Sequence, residues 1–287
     1  MKKFTILLLT MVVSSLHLYG QIDENSRLWK ISGKQLEQPS YLYGTFHLLC
    51  SDDLQIKDKV SDALEASDQL VLELDFDDST VMSTIQQHMA FTDGTTASDY
   101  LNDSEYKLLA GFFRDSLNLP FERLKTIKPF FLSSMTIMHF LGCQPVSFEQ
   151  QLTRMAGERN MEVSGLETVE EQIQFIDNLS MAHQKKMLME NIKNYDSSKK
   201  MFDRMVQYYL NGNLKGLNSI SEDYMSGDYA EFKEELLTRR NRKWVPAIEE
   251  LIRDSASFIG VGAAHLPGQE GVINLLRKAG YQVEPVY

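Results

Sequence analysis

Cysteine is scarce in this sequence, which contains only Cys50 and Cys143 among its 287 residues. A chain of this length buries roughly 70–75% of the surface that its unfolded form exposes, so its folding does not depend on covalent cross-links. The two cysteines can be buried free thiols, or they can form one disulfide if the protein is exported. Cys50 also follows His47 by three positions, which makes it a candidate metal ligand, but we favour the thiol or disulfide interpretation.

Long apolar runs are missing as well. The most apolar stretch, residues 4–13, is shorter than the roughly 20 residues that a membrane-spanning helix needs. Lys2 and Lys3 precede it, and a short segment ending at Gly20 follows it, which is typical of a cleavable secretory signal over residues 1–20. An uncleaved anchor is the alternative. We therefore predict an exported protein, periplasmic or extracellular, with no stable membrane span after cleavage.

Basic residues are outnumbered, with 29 Lys and Arg against 40 Asp and Glu and a formal net charge of −11. This balance does not indicate binding to nucleic acid or to an anionic membrane. The sequence also contains no P-loop, dinucleotide fingerprint, nucleophile-elbow serine or His-Glu-x-x-His motif, which argues against those particular mechanisms. No low-complexity tract or linker divides the chain, so residues 21–287 are predicted to form a single domain.

The pattern of apolar residues predicts a mixed α/β fold. Strands are predicted over residues 26–32, 40–46, 69–76, 161–166, 257–261 and 281–284. A helix is predicted over residues 54–67, and the segment from about 79 to 255 is mainly helical. Because strands lie near both ends of the chain, we expect an α/β sheet built from N-terminal and C-terminal strands with a large helical insertion. An α+β arrangement is the alternative.

Two predicted strands end in the same sequence motif, Gly-x-x-His. Gly44 is followed three positions later by His47, and Gly262 is followed in the same way by His265. Glycine allows a sharp turn or a close approach, and residues just past the carboxyl ends of strands form the sites of open α/β sheets. Neutral imidazole is a common metal ligand. The two histidines therefore indicate one shared site, although each could instead cap a helix or bind a buried carbonyl.

Glu73 lies between Leu72 and Leu74 in an otherwise apolar predicted strand. A carboxylate in such surroundings is unfavourable unless it is paired or bound to a cation. Asp75 is expected on the same face. Two histidines and a carboxylate on one ion would leave positions open for water, as in catalytic sites. The alternative is that Glu73 and Asp75 edge the sheet in solvent.

These segments resemble the TraB/GumN family, which is related to the TIKI membrane-anchored metalloproteases. The likeness is carried by GTFH at 44–47, LELD at 72–75, SFEQQLTRMAGERNMEVSGLETVEEQ at 147–172, Arg240-Asn241 before Trp244, and VGAAHLPGQEGVINLLRKAGYQVEPV at 261–286. It covers roughly residues 27–287. One departure is Glu149, at a position where many relatives have aspartate.

The resemblance implies a fold shared with erythromycin-esterase-like and haem-uptake ChaN-like proteins. It also implies a site formed by His47, His265 and Glu73, with Arg240 placed to bind an anionic oxygen in the transition state. Glu167 is a further candidate, either as a proton acceptor or as a residue that supports a helix start.

We therefore predict a metal-dependent hydrolase, most plausibly a peptidase, in which His47, His265 and Glu73 hold zinc, manganese or cobalt. Either Glu73 or Glu167 would act as the base, because one carboxylate does not easily serve as both ligand and base. Two alternatives stay open: a non-catalytic protein that sequesters a peptide or small molecule, and a protein that handles haem or iron.

Overall fold

The computed structural model describes residues 25–287, and the signal predicted over residues 1–20 lies outside the described residues. Eight strands are formed within this part of the chain. They are β1 Leu28–Ser32, β2 Ser40–Thr45, β3 Leu48–Cys50, β4 Gln69–Leu72, β5 Pro145–Ser147, β6 Glu162–Gly165, β7 Ser257–Gly262 and β8 Gln282–Pro285.

Six of these strands form one mixed sheet in the order β6-β4-β7-β2-β1-β8. The four strands β6, β4, β7 and β2 run parallel to one another, so their carboxyl ends meet at one edge. At the other side of the sheet, β1 pairs antiparallel with both β2 and β8. The predicted mixed α/β class is confirmed, and strands from both ends of the chain build the sheet.

Helices fill most of the chain between β4 and β7. The helices are α1 Asp58–Glu65, α2 Val81–His88, α3 Ala97–Tyr100, α4 Asp103–Leu117, α5 Pro129–Phe140, α6 Phe148–Gly157, α7 Val169–Asp177, α8 Met181–Lys193, α9 Tyr195–Leu210, α10 Leu214–Tyr224, α11 Ala230–Lys233, α12 Arg239–Asp254 and α13 Val272–Lys278. The predicted helical insertion also supplies an edge strand, because β6 lies inside it and pairs with β4.

Two predicted boundaries differ from the structure. The strand predicted over residues 69–76 ends at Leu72, and Asp75 turns away to accept a hydrogen bond from the Asp77 backbone N–H. Asp75 therefore does not share a face with Glu73. The helix predicted to begin near residue 54 begins at Asp58, because Cys50–Asp53 forms backbone turns first.

The main core lies on both faces of the sheet. Trp29 and Ile31 from β1, Leu42 from β2, and Phe258 and Ile259 from β7 are fully buried in it. Helices α6 and α12 cover the sheet with the amphipathic spacing expected of surface helices. None of the helices formed by residues 25–287 is both long and apolar enough to cross a membrane.

A separate two-stranded ribbon joins two distant parts of the chain. Strands β3 and β5 pair antiparallel, with Leu48 opposite Ser147 and Cys50 opposite Pro145. Cys50 forms a disulfide with Cys143, just before β5. The disulfide interpretation is thus the correct one for the two cysteines, and a metal-ligand role for Cys50 is excluded because its sulfur is already bonded.

Candidate functional site

The two Gly-x-x-His units lie side by side in the sheet. Strands β2 and β7 are parallel neighbours, and Thr45 is opposite Gly262 at their carboxyl ends. A Cβ atom added to Gly262 would lie 3.3 Å from Glu73 Oε1, 3.4 Å from His265 Cδ2 and 3.5 Å from His47 Nε2. The three side chains predicted to share a site therefore surround one point, and glycine leaves that point open.

Glu73 follows β4 directly and is buried. Its Oε1 atom accepts a hydrogen bond of 2.7 Å from the Gly262 backbone N–H, and its Oε2 atom lies 2.5 Å from Arg240 Nη2. Burial by itself would raise the pKa of Glu73, but the Arg240 guanidinium outweighs burial and holds this pKa well below its usual range. Glu73 is therefore an anion at neutral pH.

Arg240 joins Glu73 to a second buried carboxylate, Glu167. Arg240 Nε lies 3.0 Å and 3.3 Å from the two carboxylate oxygens of Glu167, and Nη2 lies 2.5 Å from Oε1. Trp244 Nε1 and Gln172 Nε2 also donate hydrogen bonds to Glu167. Burial raises the pKa of Glu167, and Arg240 opposes this. Glu167 is thus enclosed by its donors and balances the charge of Arg240.

A π-helical turn over Glu234–Thr238 precedes α12 and contributes to the same cluster. Arg240 Nη1 donates a hydrogen bond of 3.2 Å to the Leu236 carbonyl within this turn. The guanidinium also packs over the Trp244 ring, with its central carbon 4.7 Å from the ring centre. All the nitrogen atoms of Arg240 therefore contact protein groups, and the predicted oxyanion contact remains a prediction.

His265 is buried, and its hydrogen bonds fix its tautomer. The Asn241 side-chain Nδ2 donates to two carbonyls, those of His265 and Glu270, so the Asn241 Oδ1 atom faces the imidazole. His265 Nδ1 lies 2.6 Å from that oxygen and donates its proton to it. Burial and the charge of Arg240 lower the pKa of His265 to about 3. The ring is therefore neutral, with an unprotonated Nε2.

His47 is held differently, because 64% of its side chain is exposed. Its Nδ1 atom lies 2.9 Å from Glu149 Oε1, and Thr45 and Ser147 donate further hydrogen bonds to the same buried carboxylate. Loss of hydration disfavours a charged ring, but the Glu149 carboxylate prevails and raises the pKa of His47 to about 9. Glu149 thus orients the ring and leaves Nε2 facing the point beside Gly262.

The structure brings together the residues that the sequence singled out: His47, Glu73, Glu167, Arg240 and His265. Sequence reasoning did not assign the supporting roles of five further residues, which are Thr45, Glu149, Gln172, Asn241 and Trp244. All five lie within the segments that carry the family likeness, where their positions were visible but their partners were not.

The donor set around Gly262 fits a divalent cation in its chemistry. Each imidazole has Nδ1 anchored by an oxygen acceptor, as in many metal-ligating histidines, and Glu73 adds an anionic oxygen. In the present arrangement, however, residues 25–287 contain no group of three or more His, Cys, Asp or Glu side chains that could hold a metal ion. Arg240 Nη1 lies 3.4 Å from His265 Nε2, and the raised pKa of His47 keeps that ring protonated at neutral pH. Metal binding would therefore require His265 to exchange this contact for the ion and His47 to release its Nε2 proton.

A cleft of about 690 Å³ adjoins the cluster on the other side of Asn241. It lies between α10, the first residues of α12 and the segment leading into α13. Its lining includes the polar side chains of Asn218, Thr238, Gln269 and Asn274. The volume is within the range of small-ligand sites, and Asn241 connects the cleft to His265.

Comparisons with known proteins add one finding about ancestry. A family model described as the TraB/PrgY/gumN family matches residues 27–285, which is nearly the whole described chain. No curated protein and no solved structure matched the sequence. The matched range includes both Gly-x-x-His units and the charged residues around Arg240.

Proposed function

Because the chain belongs to the TraB/PrgY/gumN family, we propose that it is an exported metal-dependent hydrolase that cleaves peptides. The observation that carries the proposal is the convergence of His47 Nε2, the His265 ring and Glu73 Oε1 around Gly262. Export is supported by the signal-like sequence over residues 1–20 and by the Cys50–Cys143 disulfide, since such bonds persist in oxidising compartments.

In this proposal His47, His265 and Glu73 hold zinc, manganese or cobalt. When bound, the ion would lower the pKa of a water molecule and polarise the substrate carbonyl. Glu149 and Asn241 keep the two imidazoles oriented through their Nδ1 atoms. Glu73 contributes its anionic Oε1 to the open point beside Gly262, while Arg240 holds Oε2. We assign Glu167 to charge balance, because its buried carboxylate lies behind Arg240 and Trp244.

The test uses the chain from residue 21 onward, with and without a chelator. We expect stoichiometric divalent metal by elemental mass spectrometry, and cleavage of a defined peptide mixture by product mass spectrometry. Both should be lost in a His47→Ala, His265→Ala double variant. His88→Ala, at the end of α2, is the matched control and should retain both. Equal metal content and cleavage in the double variant would refute the proposal.

A non-catalytic binding function is the second candidate, and the cleft beside Asn241 favours it. A protein that sequesters a peptide or small molecule needs such a cavity but no metal. Under this function the ligand forms a saturable complex and is recovered intact after release. Mass spectrometry of the recovered ligand separates the two functions, because hydrolysis leaves fragments.

A further inference from the structure

The disulfide lies at one end of the β3–β5 ribbon, and the His47–Glu149 pair lies at the other. His47 precedes β3 directly, and Glu149 follows β5 by two residues. At the near end Leu48 is opposite Ser147, and at the far end Cys50 is opposite Pro145, two residues after Cys143. The disulfide therefore links the two strands at one end of the ribbon, and the His47 imidazole and the Glu149 carboxylate lie at the opposite end.

The β3–β5 ribbon is short, and few of its own residues are buried. Each strand has three residues, and the pair is separate from the six-stranded sheet. Isolated two-stranded pairs are marginally stable in water. Only Leu49 of the ribbon strands is buried, where it belongs to the main core. The covalent link between segments 93 residues apart is thus a major restraint on the register of β3 against β5.

The orientation of His47 depends on this register, whereas His265 is held by contacts outside the ribbon. His265 is 5% exposed, packs against the Trp244 ring with centres 4.4 Å apart, and is anchored by Asn241. His47 is 64% exposed and has one side-chain hydrogen-bond partner among the described residues, Glu149. A shift of β3 along β5 would separate His47 from Glu149 and leave His265 unaffected.

We propose that Cys50 and Cys143 are positioning residues for His47, acting through the β3–β5 ribbon. The bridge keeps His47 Nδ1 against Glu149 and so keeps Nε2 directed at the point beside Gly262. The consequence for metal binding rests on the proposed function, but the positioning itself does not. The sulfur atoms do not contact the reacting groups.

The direct test follows the imidazoles of His47 and His265 in the chain from residue 21 onward. The method is proton–nitrogen correlation spectroscopy of the non-exchanging ring protons. A dithiol reagent supplies two electrons and two protons, becomes a cyclic disulfide itself, and converts Cys50 and Cys143 to thiols. We expect the ring nitrogens of His47 to move toward values for an unbound imidazole. The resonances of His265 should not move and serve as the internal control.

Two rescue experiments separate positioning from general stability. Reoxidation, or rebridging in which the two thiolates displace both halides of a dihalomethane, should restore the His47 resonances. A Cys50→Ser, Cys143→Ser variant should reproduce the reduced spectrum without reagent. Unchanged His47 resonances after reduction would overturn the proposal. So would a loss of both histidine signals together, because the bridge would then be a general stabiliser.

Zinc titration of the same samples gives a second measurement. We expect reduction to weaken zinc binding by roughly 10- to 100-fold, the effect usual for removing support behind a metal-ligating histidine. If neither form binds zinc, manganese or cobalt, the proposed hydrolase fails, while the imidazole spectra still decide the positioning role. Equal zinc binding by the two forms would overturn the proposed consequence for metal binding, whereas the hydrolase proposal would stand.

Discussion

Gly262 is the residue on which the open point at the centre of the site depends. Its backbone angles, φ −51° and ψ 133°, are accessible to any residue, so alanine would fit the local conformation. The added Cβ would lie 3.3–3.5 Å from Glu73, His265 and His47. We expect Gly262→Ala to fold with stability close to that of the parent and to lose binding of zinc or ligand at this point by at least tenfold.

The matched control for that substitution is Gly111→Ala in α4. A Cβ added at Gly111 would meet nothing within 4 Å, so this change should stabilise the helix by about 0.5–1 kcal/mol and leave binding unaltered. Calorimetric titration with zinc and thermal unfolding of both variants provide the measurements. Unaltered zinc affinity in Gly262→Ala would place any metal elsewhere.

At the residue scale, the sequence predicted the main members of the site but not their partners. His47, Glu73 and His265 each follow a strand, so short local patterns were sufficient to identify them. The choice of Glu149 for His47, across 102 residues, and of Asn241 for His265 depends on tertiary packing. No local pattern contains that information, and the role of Arg240 as a bridge between two buried carboxylates was equally invisible.

At the level of single elements, α4 offers a test of pH-dependent stability. Asn102 and Glu105 form a reciprocal capping box at its start, and Glu105 lies 2.7 Å from Lys185 of α8. The hydrogen bond with Lys185 lowers the pKa of Glu105 below its ordinary value. A carboxyl group with a lowered folded-state pKa stabilises the protein above its unfolded-state pKa, and this contribution disappears as the pH falls through the folded-state pKa.

Glu105→Gln should therefore lower the free energy of unfolding by about 1 kcal/mol at pH 7, because glutamine keeps the capping geometry but not the charge. The difference from the parent should shrink as the pH falls below about 4.3, the ordinary pKa of glutamate. Urea unfolding at several pH values measures it. Glu158→Gln, which alters an exposed pair with Arg154, is the control and should show a smaller difference. A difference that is constant with pH would exclude the ion pair as its cause.

Element prediction succeeded where the apolar period was long and failed where elements were short. The strand predicted over residues 257–261 is present as β7, and the strand predicted over residues 40–46 is present as β2. The three-residue strands β3 and β5 were missed, because so few residues show no alternation. The π-helical turn before α12 also has no sequence period that distinguishes it from the helix it joins.

For the whole molecule, the critical element is the last strand. Val283 of β8 is buried opposite Ile31, and β8 covers one side of β1. Deletion of residues 282–287 should lower the free energy of unfolding by at least 2 kcal/mol, the scale of losing one buried aliphatic side chain. It should also shift tryptophan emission to longer wavelength, because Trp29 is paired with Pro285 and would gain access to water.

The control for this deletion removes Tyr287 alone, which is 80% exposed and should have little effect. Denaturant midpoints and emission spectra of the two shortened chains provide the comparison. Equal midpoints would show that β8 contributes little to the sheet.

At this scale the sequence predicted the α/β class and the joining of both chain ends, but not the strand order. The order depends on pairings such as β4 between β6 and β7, which no single segment specifies.

The pairing of the first and last strands has a consequence for how the chain is made. Ser26 Oγ donates a hydrogen bond to the Val286 carbonyl 260 positions later, and β1 and β2 depend on β7 and β8 to complete their sheet. A ribosome releases the N-terminal strands long before their C-terminal partners exist. Until β7 and β8 have been made, these apolar strands have unpaired edges, which favour aggregation in incompletely folded chains. Folding of this sheet must therefore follow synthesis of β7 and β8, and non-local pairing of this kind is slow.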